Sequence, residues 1–244
     1  MGGRNRLRQR RVVKGQPVSV DQAARQIVAV GRVLYERGLV AATEGNMSVR
    51  LAGNRFLTTP SGLCKGRLRD HDVVTVDALG KKRGGHGNPS SEIKMHLAIY
   101  EERPDILAIV HAHPPIATGF AVAGVPLAGC VLPEIILTVG SVPLTEYGTP
   151  STDELPARIR GAARSHDAFL LKNHGAVASG SGLWDACHKM EMIESFAKIV
   201  LAARQLGRVE ALSSADVDKL LALGGVNRPA AGCGGCVTCE IGRA

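Results

Sequence analysis

The chain has 244 residues, 45% of them hydrophobic and 21% charged, enough for one sizeable core with room for tails. Its net charge of +8 is concentrated in one place, because Arg4, Arg6, Arg8, Arg10, Arg11 and Lys14 precede the first acid, Asp21, and supply all but two of those charges. A nearly neutral body with only 3% aromatic residues argues against a nucleic-acid platform, and no apolar run is long enough to span a membrane.

Residues 1–18 read as a basic, solvated arm without the apolar segment of a secretory signal. Six cysteines in a chain without an export signal point to a cytoplasmic protein with free or metal-binding thiols. Ser19 and Gln22 form a capping box that opens a helix over about residues 20–37, with Ala23, Ile27, Val30 and Leu34 on one apolar face and Gly38 as its stop. The stretch Thr43-Glu44-Gly45-Asn46-Met47-Ser48-Val49-Arg50 turns into a strand. Ala52-Gly53-Asn54 is a hairpin turn into a second strand at 55–59, and Thr59-Pro60-Ser61-Gly62 then breaks the chain. A third strand fits 73–77, and 81–88, with three glycines, reads as a surface loop.

A helix is expected from Ser91 to about Glu101 with Glu92 in its first turn. The buried strand Ile109-Val110-His111-Ala112-His113 follows, ended by Pro114 and Pro115. A short helix is expected near 116–123, whereas the apolar stretch 133–142 fits neither period. Ser151 and Glu154 make another capping box, opening a helix to about Ser165. A buried strand at 168–172 ends at Asn173-His174-Gly175, and helices cover about 183–206 and 215–223. Strands and helices alternate without a Rossmann glycine fingerprint or a repeat. The class is α/β, one domain over residues 19–224 with a mixed sheet covered by helices. Residues 225–244 form a glycine-rich tail in which Cys233, Cys236 and Cys239 could ligate zinc or an iron–sulfur cluster, form disulfides, or remain free thiols. Cys64, Cys130 and Cys187 read as small packing residues.

The chemistry centres on His111 and His113. Side chains two apart on a strand share a face, so two neutral nitrogens can converge on one cation, although a pair of half-buried structural histidines has the same spacing. His174 supplies a third imidazole beside Gly175, and three imidazoles leave an open position on a tetrahedral ion, the catalytic arrangement. Glu92, at a helix start, is explained by the helix dipole alone; as a functional residue it would touch the metal or act as a base. Ser90 and Ser91 stand at the same helix N-terminus, where free N–H groups suit phosphate, and Gly45-Asn46 and Ser61-Gly62 are further small polar turns.

Five segments taken together, Glu44-Gly45-Asn46-Met47-Ser48-Val49-Arg50, Thr59-Pro60-Ser61-Gly62, Pro89-Ser90-Ser91-Glu92, His111-Ala112-His113 and Asn173-His174-Gly175, resemble the class II aldolase/adducin-head family, most closely its fuculose-phosphate aldolase branch. The resemblance covers about residues 19–210. It implies a three-layer α/β/α domain around a mixed sheet, assembled as a homotetramer with active sites at subunit interfaces. It also implies Zn2+ (Mn2+ or another divalent ion being possible) on His111, His113 and His174, and Glu92 as resting ligand and acid/base. Phosphate-binding positions fall on Asn46, Ser61, Gly62, Ser90 and Ser91. The implied reaction is reversible cleavage of a ketose 1-phosphate to dihydroxyacetone phosphate and an aldehyde, through an enediolate stabilised by zinc. The fuculose branch carries one tyrosine in the segment matching residues 130–137 and another in its C-terminal tail. Here the first stretch has none, and no tyrosine follows Tyr147. Glu134 is a substitute acid or an interface carboxylate, and it lies near a glutamate of the related methylthioribulose-phosphate dehydratases. Sugar-acid phosphate decarboxylases share Glu92, so dehydratase and decarboxylase are the alternatives.

Overall fold

The computed structural model describes residues 18–223; the basic arm and the cysteine tail lie outside the described residues. Helix α1 (Val20–Glu36) begins where the sequence predicts, with the Ser19 hydroxyl accepting from the Gln22 N–H at 3.2 Å. Strand β1 (Asn46–Leu51) turns through Gly53 and Asn54, both at positive φ, into β2 (Arg55–Thr58). β3 is Val74–Asp77 and pairs with β4 (Lys82–Gly84). The stretch 81–88 is therefore not only a loop. Its first residues carry the edge strand of the sheet, a short charged edge of the kind that resists pairing with other chains.

Helix α2 (Ile93–Glu102) starts two residues later than expected, leaving Glu92 at the N-cap rather than in the first turn. β5 (Ala108–Ala112) follows, and His113 lies one residue beyond it. α3 is Pro115–Val122, and the untyped apolar stretch begins with a short helix, α4 (Pro133–Thr138). After β6 (Leu144–Thr145), helix α5 (Glu154–Ser165) opens without the expected capping box. Ser151 sits at φ 64°, outside the cap, and the Glu154 carboxylate instead accepts from the backbone N–H and hydroxyl of Thr149. β7 (Ala168–Leu171) and β8 (Gly175–Gly180) form a hairpin, so His174 belongs to their turn, beside Asn173 at φ 55°. α6 (Leu183–Gln205) and α7 (Ser214–Ala222) complete the described chain.

The eight strands run β4-β3-β2-β1-β5-β8-β7-β6, antiparallel except for the β6–β7 pair. Period-two alternation divides each strand between two cores. Met47, Val49, Val110, Ala176 and Ala178 face α1, α3 and α6, whereas Phe56, Val74, Ile109, Phe169 and Val177 face α2 and α5. This is the α/β/α three-layer architecture around a mixed sheet. No helix among the described residues is long and apolar enough to cross a membrane.

The start of α3 needs an outside partner. Pro114 and Pro115 have no N–H and Pro114 offers no capping side chain, so the N–H groups of Ile116 and Ala117 are satisfied by Glu194 of α6, at 3.1 and 2.9 Å. That buried carboxylate ties the chain leaving His113 to the longest helix. Glu194→Ala should orphan one buried and one part-buried donor and cost about 2–3 kcal/mol, read as a lowered urea midpoint at unchanged slope.

Candidate active site

His111 stands in the middle of the sheet and is fully buried. Asn46 of β1 is its register partner on one side and Val177 of β8 on the other. Its Nδ1 lies 2.9 Å from the Ala176 carbonyl oxygen. A carbonyl only accepts, so Nδ1 carries the hydrogen and Nε2 of the neutral ring is left as a lone pair. Nε2 lies 3.1 Å from His113 Nε2 and 3.3 Å from Glu92 Oε2, while Glu92 Oε1 is 3.4 Å from His174 Nε2. The three imidazoles pack edge to face with centroids 4.7–5.0 Å apart.

Two glycines permit this convergence. A Cβ on Gly175 would stand 2.6 Å from both the Ala112 carbonyl and the His113 ring. One on Gly45, at φ 68°, would stand 2.8 Å from the His111 carbonyl. Asn46 is drawn to the carboxylate, its amide donating to Glu92 Oε2 at 2.8 Å.

The remaining candidates gather on a neighbouring rim. An isolated bridge between Pro60 and Pro89, with Ser61 N–H donating to Asn88 O and Ser90 N–H to Thr59 O, joins the Thr59–Gly62 turn to the α2 N-terminus. Ser61, Gly62 and Ser91 are exposed there, whereas Ser90 is buried and its hydroxyl accepts from Glu92 N–H. Glu134 is exposed on α4, which packs against α6 and α7.

The electrostatics follow from burial and mutual proximity. Burial opposes ionisation of Glu92, but His111, His174 and the Asn46 amide outweigh it and hold the carboxyl well below the usual range. Burial also disfavours a charged His111, yet Glu92 raises its pKa on balance. His113 and His174 are lowered to about 4, by burial first and then by His111. Both rings are therefore neutral at neutral pH, the form in which an imidazole can bind a metal.

The donor set suits a divalent ion. Three histidine nitrogens lie within 4.8 Å of one another, and a tetrahedral ion with bonds of about 2.1 Å needs neighbours roughly 3.4 Å apart. Glu92 Oε1 and Asn46 Oδ1 are buried without a hydrogen-bond partner, which leaves polar capacity beside the histidines for a ligand.

Residues 25–201 match the Class II Aldolase and Adducin N-terminal domain family. The chain belongs to that family. It is similar to the 3-oxo-tetronate 4-phosphate decarboxylase of Haemophilus influenzae, 36% identical over 188 residues that make up 73% of this chain and 87% of that one. The 5-methylthioribulose-1-phosphate/5-deoxyribulose-1-phosphate aldolase of Rhodospirillum rubrum is 34% identical over 82% of this chain and 86% of its own. Among solved structures, an L-fuculose 1-phosphate aldolase superposes with a TM-score of 0.78 at 32% identity, over 85% of this chain and 97% of that one. This class II aldolase-family protein is an enzyme of the lyase class, with a three-histidine site able to hold the divalent metal such enzymes use.

Sequence reasoning about isolated residues missed three features. Glu44 reaches His113 Nδ1 at 3.4 Å. Lys65, almost fully buried, donates to Thr43 O and Leu63 O at 2.6 and 2.7 Å and is lowered to about 8, chiefly by burial. Below Glu92 on α2, His96 packs with Ser48 and Tyr100, its Nδ1 2.7 Å from Ser48 Oγ and burial lowering it to about 3. An acid in a loop and a lysine in a single 3-10 turn carry no periodic signal, and His96 reads as one more residue of a helix face.

These displaced pKa values fix the sign of an acid transition in metal-free protein. A histidine whose folded pKa is depressed binds protons better when unfolded, so its contribution is present above the unfolded value near 6.5 and disappears as pH falls toward the folded value. His96, His113 and His174 all act in this direction, and Glu92, also depressed, adds its loss below about 4.5. Only His111 runs the other way, its contribution fading as pH rises through its raised pKa. Each tenfold difference in proton affinity between the folded and unfolded chain is worth about 1.4 kcal/mol, so the metal-free protein should lose several kcal/mol between pH 6.5 and 4. Urea midpoints across that range measure it.

Proposed function

We propose that the protein is a divalent-metal-dependent lyase that breaks the bond between the carbons α and β to the carbonyl of a short phosphorylated keto sugar or keto sugar acid. The observation that carries this reading is the convergence of three imidazoles and the Glu92 carboxylate beside the exposed Ser61, Gly62 and Ser91 rim. His111, His113 and His174 hold the ion, with zinc the first choice and manganese the second. When bound, that ion supplies Lewis acidity to the negative charge developing at the substrate carbonyl. Ser90 and Ser91 before the α2 N-terminus, together with Asn46 and with Ser61 and Gly62 of the turn bridged to that terminus, take the phosphate. Glu92, oriented by Asn46, moves the proton.

Decarboxylation of a 3-oxo sugar-acid phosphate is the favoured reaction. Loss of carbon dioxide leaves charge beside the carbonyl with no hydroxyl to deprotonate, so one proton-moving group suffices. Aldol cleavage must also manage the proton of the departing hydroxyl, which the fuculose-like tyrosines would serve. Here residues 130–137 hold none, Tyr100 is buried against Ser48, Tyr35 packs on Gly66, and Tyr147, half exposed, lies outside the segment that carries the fuculose-branch tyrosine. The 36% identical decarboxylase agrees with this choice. Aldol cleavage of a ketose 1-phosphate to dihydroxyacetone phosphate is the second reading, favoured by the two aldolase likenesses. A dehydratase rests on Glu134 alone, and the exposure of that residue weakens it. A cytoplasmic homotetramer with active sites at subunit interfaces is part of the proposal; Val122, Leu206 and Leu223 offer exposed apolar surface for contacts, and light scattering on the purified protein tests the assembly.

The deciding assay offers 3-oxo-tetronate 4-phosphate and, separately, fuculose, rhamnulose, ribulose and methylthioribulose 1-phosphates, with and without a chelator. Carbon dioxide release that stops on chelation and returns with zinc or manganese is expected. Dihydroxyacetone phosphate release instead would establish the aldolase, and chelator-insensitive turnover would exclude the metal reading. Glu92→Gln should lower kcat about 10²–10⁴-fold while metal content, measured by plasma emission, is retained. His113→Ala should lose the metal and the activity with the circular dichroism spectrum unchanged.

A further inference from the structure

The three candidate ligand rings differ in what holds the nitrogen turned away from the centre. Nδ1 of His111 donates to Ala176 O, and Nδ1 of His174 is buried without a hydrogen-bond partner. Nδ1 of His113 lies 3.4 Å from Glu44 Oε2. We propose that Glu44 is a positioning residue of the metal site, its carboxylate taking the Nδ1 hydrogen of His113 so that Nε2 is kept as the ligand atom and the ring is held at its angle. The inference rests on the metal reading above and adds to it a carboxylate–histidine–metal relay on this one ligand.

Glu44 is half exposed, and an exposed acid would ordinarily be a solvated side chain. Its loop is built otherwise. His113 N–H donates to Leu39 O at 3.0 Å, which seats the loop on the end of β5. Glu44 N–H donates to Ala41 O at 2.9 Å, and Ala41 N–H returns to Glu44 Oε2 at 3.3 Å, so the backbone aims the same oxygen that faces His113. The buried ammonium of Lys65 grips Thr43 O from beneath, and Gly45 presses against the His111 carbonyl. A carboxylate fixed in this way needs little further ordering to hold the ring, and it raises the basicity of the opposite nitrogen. Glu44 makes no contact with the central point itself, its reach ending at Nδ1, so it acts through His113.

The test uses the full chain stripped of metal and titrated with Co2+, followed by the visible d–d absorption of an imidazole-bound ion. Binding to Cys233, Cys236 and Cys239 would show separately as thiolate charge transfer in the near ultraviolet. Glu44→Ala should weaken Co2+ binding about 10–100-fold. Glu44→Gln should restore most of the affinity, because its amide oxygen accepts the same hydrogen. The melting temperature of the metal-free protein should be the same in all three, since an exposed carboxylate adds little to the fold. Glu44→Ala binding within twofold of wild type would overturn the inference, and so would a parallel fall in metal-free melting temperature, which would assign Glu44 to the loop alone. Failure of the wild-type chain to bind Co2+ with imidazole character is a different result, overturning the metal reading and this inference with it.

Discussion

A charged or metal-bearing imidazole in the centre of a sheet is costly unless every polar atom around it is matched, and His111 imposes that requirement on its neighbours. Its ring is fully buried, so its Nδ1 must find an acceptor and its Nε2 must face a charge. The β5–β8 register supplies the first, placing Ala176 O at hydrogen-bond distance. The start of α2 supplies the second, since Glu92 ends the chain's approach to that helix over the face that His111 shares with Ile109. Asn46, opposite His111 on β1, then donates to the same carboxylate oxygen, Oε2, that faces His111.

The other two histidines are held less directly, and their placement shows what the surrounding architecture is for. His113 leaves the sheet just as Pro114 and Pro115 remove two donors from the backbone, which forces Glu194 of α6 to complete α3. His174 rides on a hairpin turn whose next residue must be glycine, because any Cβ there would strike both the Ala112 carbonyl and His113. The site is therefore assembled from a strand end, a turn and a helix cap, each short and each fixed by packing from a different layer. Such construction sets the angles of the three rings more tightly than a single loop could.

Beneath Glu92 the same helix carries a second polar column. Ser48 joins His96 and Tyr100, and Arg50 stacks over Tyr100 while donating to its carbonyl. These residues face the α2 side of β1 together with Asn46, as period-two alternation requires. Their bonds fix the rotation of α2 against the sheet and so the direction in which Glu92 points. Burial keeps His96 neutral, which spares the site a further positive charge close to His111.

By itself the sequence determined the elements and most of the donors. Periodicity and caps locate α1, β1, β5 and α6, and His-x-His followed by two prolines reads as ligands at a strand end, because local spacing decides which face a side chain takes. Where local signals compete, they mislead: the Ser151–Glu154 box does not form because Thr149 captures the carboxylate, and residues 82–84 of the glycine-containing stretch 81–88 become a strand because β3 offers an edge. Only the tertiary structure decided that His174 comes from a turn to join a pair more than sixty residues earlier, that Asn46 serves the carboxylate, and that Glu44 stands behind His113. Those relations depend on strand order and on which layer covers which face, and residues distant in the chain carry no mutual signal until the sheet brings β1, β5 and β8 side by side.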